Sequence, residues 1–312
     1  MCEDNQTDVT VFILLGFKGL YSYKILFFIL FLFSYILVIT GNLILVVLVS
    51  ISEHLKIPMF IFLRQLAVAD ILITTTIIPM MLDIILRDTK EVFVTGCLIQ
   101  IYIFDIFESV QCFLIAVMSY DRCLAICNPM RYNSIMSPDV CRKMIAASWL
   151  LACMLSIEII VVCQLQFCGL NYIDHFFCDF GPIVELATSD TSTLLLVDMI
   201  LSFVVFFIPF SFIIITYIII FYTISKISLN SGRKKAFSTC SSHLATVFTY
   251  YGTLMIIYMG PSGDSSYVQN KLYSLLYIVV TPMMNPIIYS LRSREVRQTL
   301  HQVINIQTQR QL

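Results

Sequence analysis

The sequence predicts an all-α membrane protein: a bundle of seven spanning helices, N-terminus outside, with a short amphipathic helix after the seventh span. Three observations predict it. Of 312 residues, 59% are hydrophobic and 12% charged, where a soluble domain carries about 25% charged residues. Seven stretches reach the roughly 20 mostly apolar residues that a spanning helix needs. The Lys and Arg residues divide unevenly between the two sets of helix ends, which fixes orientation.

The spans are expected at 25–50, 58–84, 97–124, 142–165, 194–225, 236–260 and 269–291. Runs this long argue against a barrel, whose strands alternate over about ten residues. One set of ends holds Lys56, Arg122, Arg131, Arg142, Lys143, Lys226, Arg233, Lys234, Lys235, Arg292, Arg294, Arg297 and Arg310. The other holds Lys18, Lys24, Arg87, Lys90 and Lys271, while Arg64 sits just inside the second span and can snorkel. The richer set is cytoplasmic by the positive-inside rule. Residues 1–24 are then an extracellular segment, 25–291 the spanning domain and 292–312 a cytoplasmic tail. The sequon Asn5-Gln6-Thr7 falls outside, where glycosylation occurs. The start has no basic stretch leading into an apolar one, so the first span is expected to do the targeting. In the tail, Val296, Leu300, Val303 and Ile304 recur at helical spacing beside Arg294 and Arg297, the pattern of a helix lying on the inner surface.

Several function classes fall away. A net charge of −1 argues against a nucleic-acid partner. The four histidines, His54, His175, His243 and His301, are isolated, and the 11 cysteines form no CxxC pair, so no metal site is expected. No GxSxG or phosphate-cradling Gly loop is present. The reading is therefore not an enzyme, and no cofactor is implied. The odd span count argues against the paired-repeat plan of many transporters, although acids in the third span leave a cation transporter or channel as a rival.

Polar residues inside the spans need a reason, since each ionisable one costs on the order of 2.5–3.5 kcal/mol to insert. Asn42, Asp70 and Asn285 fall within the first, second and seventh spans and can meet in one cluster. The third span ends Met118-Ser119-Tyr120-Asp121-Arg122-Cys123 at its cytoplasmic side. The seventh carries Pro282-Met283-Met284-Asn285-Pro286-Ile287-Ile288-Tyr289. Its two prolines each remove a ladder hydrogen bond and kink the helix.

These segments carry a resemblance. MSYDRCLAICNPMRY (118–132), KAFSTCSSH (235–243) and PMMNPIIYSLR (282–292) resemble the signature segments of vertebrate olfactory receptors, a branch of the rhodopsin-like G-protein-coupled receptors. Gly41-Asn42, Pro58-Met59, Leu66 to Asp70 and His175-Phe176-Phe177-Cys178-Asp179 fit the same pattern, from about Asn5 to Val296. The resemblance implies an odorant bound between the outer halves of helices three to seven. It also implies an olfactory-type stimulatory G protein at the inner face, cyclic AMP as the output, and residence in the plasma membrane of sensory cilia. By resemblance, Arg122 contacts the G protein and Asp121 restrains it at rest. Lys235, Ser238 and His243 lie at the inner end of helix six, and Asn285, Pro286 and Tyr289 form the hinge and switch. Cys97 pairs with Cys178. The family commonly has a second loop disulfide, but Thr188 stands at the partner position of Cys168. That bridge is expected to be absent, with Cys168 either paired to Cys163 or free. Gln111 stands where the family usually has Glu, in the polar network of Asn42, Asp70 and Asn285. The network therefore has one carboxylate fewer for a sodium ion. Cys123 replaces the usual Tyr, and Arg64 a small residue. The same receptor type serving as a chemosensor outside the nose remains an alternative.

Helix three carries Asp105 and Glu108, about 12 and 16 Å below Cys97 at 1.5 Å per residue and nearly on one face. The family usually has apolar or small residues there. Glu158 and Asp198 add acid in helices four and five, and no Lys or Arg occurs at that depth in helices three to five. Such acids must be hydrated, protonated or offered a cation. One reading is a pocket for a positively charged amine with Asp105 or Glu108 as counter-ion. The other is internally hydrogen-bonded acids and a neutral ligand. Phe104, Ser109, Cys112, Tyr250, Tyr251 and Tyr277 are the further candidate ligand contacts, the aromatics through cation–π attraction.

Overall fold

The computed structural model describes residues 9–17, 23–227, 230–258, 266–293 and 295–300. It is a bundle of seven helices: α1 (Lys24–Ile51), α2 (Pro58–Arg87), α3 (Val94–Cys127), α4 (Pro138–Val162), α5 (Ser192–Ser225), α6 (Asn230–Tyr258) and α7. Helix α7 runs through Ser266–Leu275, Leu276–Val280 and Thr281–Arg292. Six of the described helices are long and apolar enough to cross a membrane. Helix α6 is more polar, because Ser242, His243, Thr246 and Tyr250 turn inward from it and are buried. The lipid-facing side of α1 shows why these helices need a bilayer. Ile25, Ile29, Leu30 and Phe33 recur at helical spacing and are all more than half exposed.

Sequence chemistry sets the helix limits. Ile57 is extended, as the residue before a proline must be, and Pro58 opens α2 where a missing N–H costs nothing. Ser137 caps α4, its hydroxyl accepting from Val140 N at 3.4 Å. Prolines also explain the two wide turns. Pro209 cannot donate to the fourth residue before it, and the ladder opens into a π turn at Phe203–Phe207. Pro282 does the same at Leu276–Val280. Inside the bundle, α1 meets α7 closely at Gly41: a Cβ there would come to 3.0 Å from Pro286 Cγ.

Helix α3 is the bundle's centre, with Cys97, Ile101, Val110, Leu114, Ile115 and Met118 all buried. A small sheet caps the outer end. Strand β1 (Val11–Leu14) pairs antiparallel with β2 (Lys90–Phe93) and parallel with β3 (Tyr172–Ile173). It joins the N-terminal segment, the α2–α3 loop and the α4–α5 loop into one lid. No strand was expected from the sequence, because these runs are too short to show alternation. The Cys97–Cys178 disulfide ties the α4–α5 loop to the top of α3. Cys168 corrects the expectation made for it: it is disulfide-bonded, and Cys163 is free, so Cys163 is not its partner. Thr188 at the family's partner position did not exclude a bridge. Past α7, residues 295–300 are helical, and Val296 is buried against the bundle. Val303 and Ile304 lie outside the described residues, as does Asn5.

Candidate functional site

A cavity of about 310 Å³ opens in the outer half of the bundle, beneath the lid. Four carboxylates line it: Asp105 and Glu108 from α3, Asp179 from the α4–α5 loop and Asp198 from α5. No Lys or Arg lines it among the described residues. Phe104, Phe177 and Tyr277 supply aromatic wall; Phe104 packs 5.6 Å from Phe177 and 5.9 Å from Tyr277 between ring centroids. Ser109, Ser156, Ser202 and Ser274 supply hydroxyls. Of the expected contacts, Phe104, Asp105, Glu108, Ser109, Asp198 and Tyr277 reach the wall. Cys112, Tyr250 and Tyr251 do not. They form the layer below, where the Tyr250 hydroxyl lies 3.0 Å from both Cys112 Sγ and the Glu108 carbonyl oxygen. Each of these side chains turns toward a neighbouring helix rather than the cavity. The side chain of Glu158 lies outside the described residues.

Asp179 was missed in the sequence, where it reads only as part of a loop motif. The Cys97–Cys178 bond brings the loop down onto α3 and places Phe177 and Asp179 over Glu108. Burial pushes the Asp179 carboxyl up to about 6, against the opposing pull of the Phe180 N–H that it accepts at 2.9 Å. Lys271 anchors the lid above. It is 5% exposed, and its ammonium donates to Gly16 O and to Asp174 Oδ1, both at 2.7 Å. His175 is buried beside it, stacked 4.7 Å from the Phe176 ring. Burial and then the Lys271 charge push its pKa down to about 3, so the ring is neutral.

Below the cavity lies the polar centre. Asp70 accepts from Asn285 Nδ2 at 2.7 Å and from Gln111 Nε2 at 2.8 Å. Gln111 Oε1 accepts from the Tyr277 hydroxyl at 2.9 Å. Asn42 is brought to α7 rather than to Asp70: its amide donates to Pro282 O at 3.0 Å. Each Asp70 oxygen accepts an N–H, and Gln111 presents a donor to it, so a cation at the Asp70 carboxylate would have to displace a hydrogen bond, while Asn42 Oδ1 and Asn285 Oδ1 are buried acceptors with no hydrogen-bond partner among the described residues.

At the inner end Arg122 donates to Asp121 Oδ2, at 3.0 Å through Nε. Tyr132 donates to the other Asp121 oxygen at 2.7 Å. Burial, and then the Asp121 charge, push the Tyr132 hydroxyl above the usual phenol range. His243 on α6 lies 2.7 Å from the Tyr217 hydroxyl on α5 and 3.1 Å from Ile115 O on α3. A carbonyl oxygen only accepts, so Nε2 carries a proton and donates to Ile115 O, and Nδ1 is hydrogen-bonded to the Tyr217 hydroxyl. One ring thus clasps three helices beside Arg122. Tyr289 is buried in α7 close by. The side chains of Lys235 and Ser238 lie outside the described residues.

Comparison with known proteins agrees with this layout. The family described as olfactory receptor matches residues 31–307. The chain is similar to human Olfactory receptor 11A1, with 43% identity over 303 residues, 97% of this chain and 96% of that protein. It is also similar to human Olfactory receptor 1M1, with 40% identity over 302 residues, 96% of each chain. Olfactory receptor 1500 of Rattus norvegicus is 39% identical over 305 residues, 97% of this chain and 98% of that protein.

Proposed function

The chain belongs to the olfactory receptor family, and from that premise we propose that it detects a positively charged amine and answers through an olfactory-type stimulatory G protein that raises cyclic AMP. The observation that supports the ligand class is the cavity wall: Asp105, Glu108, Asp179 and Asp198 line it, and among the described residues no Lys or Arg does. An ammonium entering there exchanges water for carboxylates in a low-dielectric site, and Phe104, Phe177 and Tyr277 offer it π faces. A neutral odorant of the same shape gains only the apolar part of that exchange.

Binding acts as a population shift, limited by the ligand's differential affinity for the resting and active bundles. The resting bundle is held by the Asp121–Arg122 pair and the His243 clasp, and Arg122 is the group offered to the G protein on release. Asn285, Pro286 and Tyr289 supply the movable segment in α7. The receptor is a multi-pass membrane protein; its place in the plasma membrane of sensory cilia belongs to this proposal.

The test is cyclic AMP in cells carrying the receptor and an olfactory-type G protein, challenged with amines and with alcohols of matched shape. Amines are expected to act where their alcohol partners do not. Glu108→Gln, alone and with Asp105→Asn, is expected to lower amine potency at least tenfold, about 1.4 kcal/mol or more. Unchanged amine potency in both variants at equal surface expression would sink the amine assignment and leave the receptor reading intact.

A further inference from the structure

We propose that Gln111 closes the Asp70 centre without a metal cation and fastens it to the ligand cavity through Tyr277. A buried carboxyl group in a membrane bundle must take up a proton, a cation or enough donors to hold its charge. Asp70 has its donors. Its Oδ1 takes Gln111 Nε2 at 2.8 Å, and its Oδ2 takes Asn285 Nδ2 at 2.7 Å. No Lys or Arg hydrogen-bonds or pairs with Asp70 among the described residues.

The orientation of the Gln111 amide is what makes this arrangement exclusive. A carboxylate only accepts, so the amide must show Asp70 its NH₂ end; its oxygen then faces away, and the Tyr277 hydroxyl donates to that oxygen at 2.9 Å. A cation at Asp70 would demand the opposite face of the amide. It would have to turn Gln111 over, break the Tyr277 bond as it stands, and displace one of two short hydrogen bonds. All four side chains are at most 3% exposed, so water supplies little compensation. A glutamate at position 111 would reverse the preference. It would bring a second negative charge beside Asp70 and no donor, and a cation would then relieve the repulsion.

The arrangement also joins two sites. Tyr277 lines the cavity, and Asn285 stands in the Pro282–Pro286 segment of α7. The run Tyr277–Gln111–Asp70–Asn285 therefore links the cavity wall to that segment by side-chain hydrogen bonds alone, with no exchangeable ion between them.

The test needs neither a ligand nor a G protein. The full-length receptor is purified in detergent, and its thermal midpoint is compared in sodium chloride and in choline chloride at equal ionic strength. A bound ion raises the midpoint by mass action. The wild type is expected to show no sodium-specific rise, and Gln111→Glu a rise of a few degrees. Gln111→Ala, which removes the donor and opens space at Asp70, is expected to show a smaller one and stands in if the glutamate variant does not fold. A sodium-specific rise in the wild type that Asp70→Asn abolishes would overturn the proposal. So would flat responses in both folded position-111 variants, since Gln111 would then not be what keeps the cation out. Either failure leaves the amine reading untouched.

Discussion

Asp179 is a single residue with a consequence for ligand binding. Its carboxyl is pushed up to about 6 by burial, so it is charged at neutral pH and loses its charge as the outside acidifies. A simple amine, with a pKa near that of Lys at about 10, keeps its charge throughout. Amine potency is therefore expected to fall between about pH 7.5 and 5, and Asp179→Asn to remove that part of the pH dependence while weakening binding at neutral pH. Cyclic AMP dose–response curves at fixed internal and varied external pH decide it; equal slopes in wild type and variant would count against the role. Gly16 is the second such residue. It holds φ at +57°, and a Cβ would overlap the Ile84 side chain. Its carbonyl is also an acceptor for Lys271. Gly16→Ala is expected to strain the backbone by roughly 1–2 kcal/mol, before the clash is counted, and to loosen the lid. Faster hydrogen exchange at Leu15 and Gly16, whose amides donate to Ile173 O and His175 O, would report it.

Among the elements, the helices were legible and the lid was not. A spanning helix announces itself through twenty apolar residues, and the signature segments at 118–132 and 282–292 fixed which helix was which. The sheet of β1, β2 and β3 offers four residues, four and two. Its pairing is set by distant loops and a disulfide rather than by any local pattern. The cavity divides the same way. Asp105 and Glu108 were readable because a helix converts spacing into a shared face, whereas Asp179 depends on where a loop is pulled. The widened turns were half legible: prolines predict a lost hydrogen bond, but not whether the helix kinks or opens into a π turn. The π turn at Phe203–Phe207 sets the phase of the outer part of α5, where Asp198 and Ser202 face the cavity. Pro209→Ala restores the missing N–H and removes up to about 3 kcal/mol of helix penalty. The regular helix that results turns Asp198 away from the cavity. The variant is expected to melt no lower than wild type yet to respond more weakly to amines. Undiminished amine potency would show that the turn does not position Asp198.

At the scale of the whole molecule, the lid and the bundle form one closed body whose outer end holds two opposed titrations. His175 is neutral when the lid is packed, with its pKa pushed down to about 3, and has an ordinary value of 6.5 when the lid is open. Between those values the open state binds the extra proton, so closure weakens as pH falls, by about 1.4 kcal/mol per unit at most. Asp179 runs the other way. Its packed value is about 6 and its ordinary value 3.8. In that interval the packed state binds the extra proton, so closure strengthens as pH falls, with the same limiting slope. From about pH 6 down to 3.8 the two slopes oppose and nearly cancel, and lid opening in the wild type is expected to change little. Removing either group exposes the other. Asp179→Asn should make the lid open progressively below about pH 6, and His175→Phe, which keeps an aromatic ring against Phe176 and Phe177, should make it tighten over the same range. Hydrogen exchange at Gly16, corrected for the intrinsic rate at each pH, follows the opening directly. Were the Asp179→Asn lid to stay as flat as wild type from pH 6 to 4, His175 would not be buried neutral beneath Lys271, and the lid would owe its closure to the sheet and the disulfide alone.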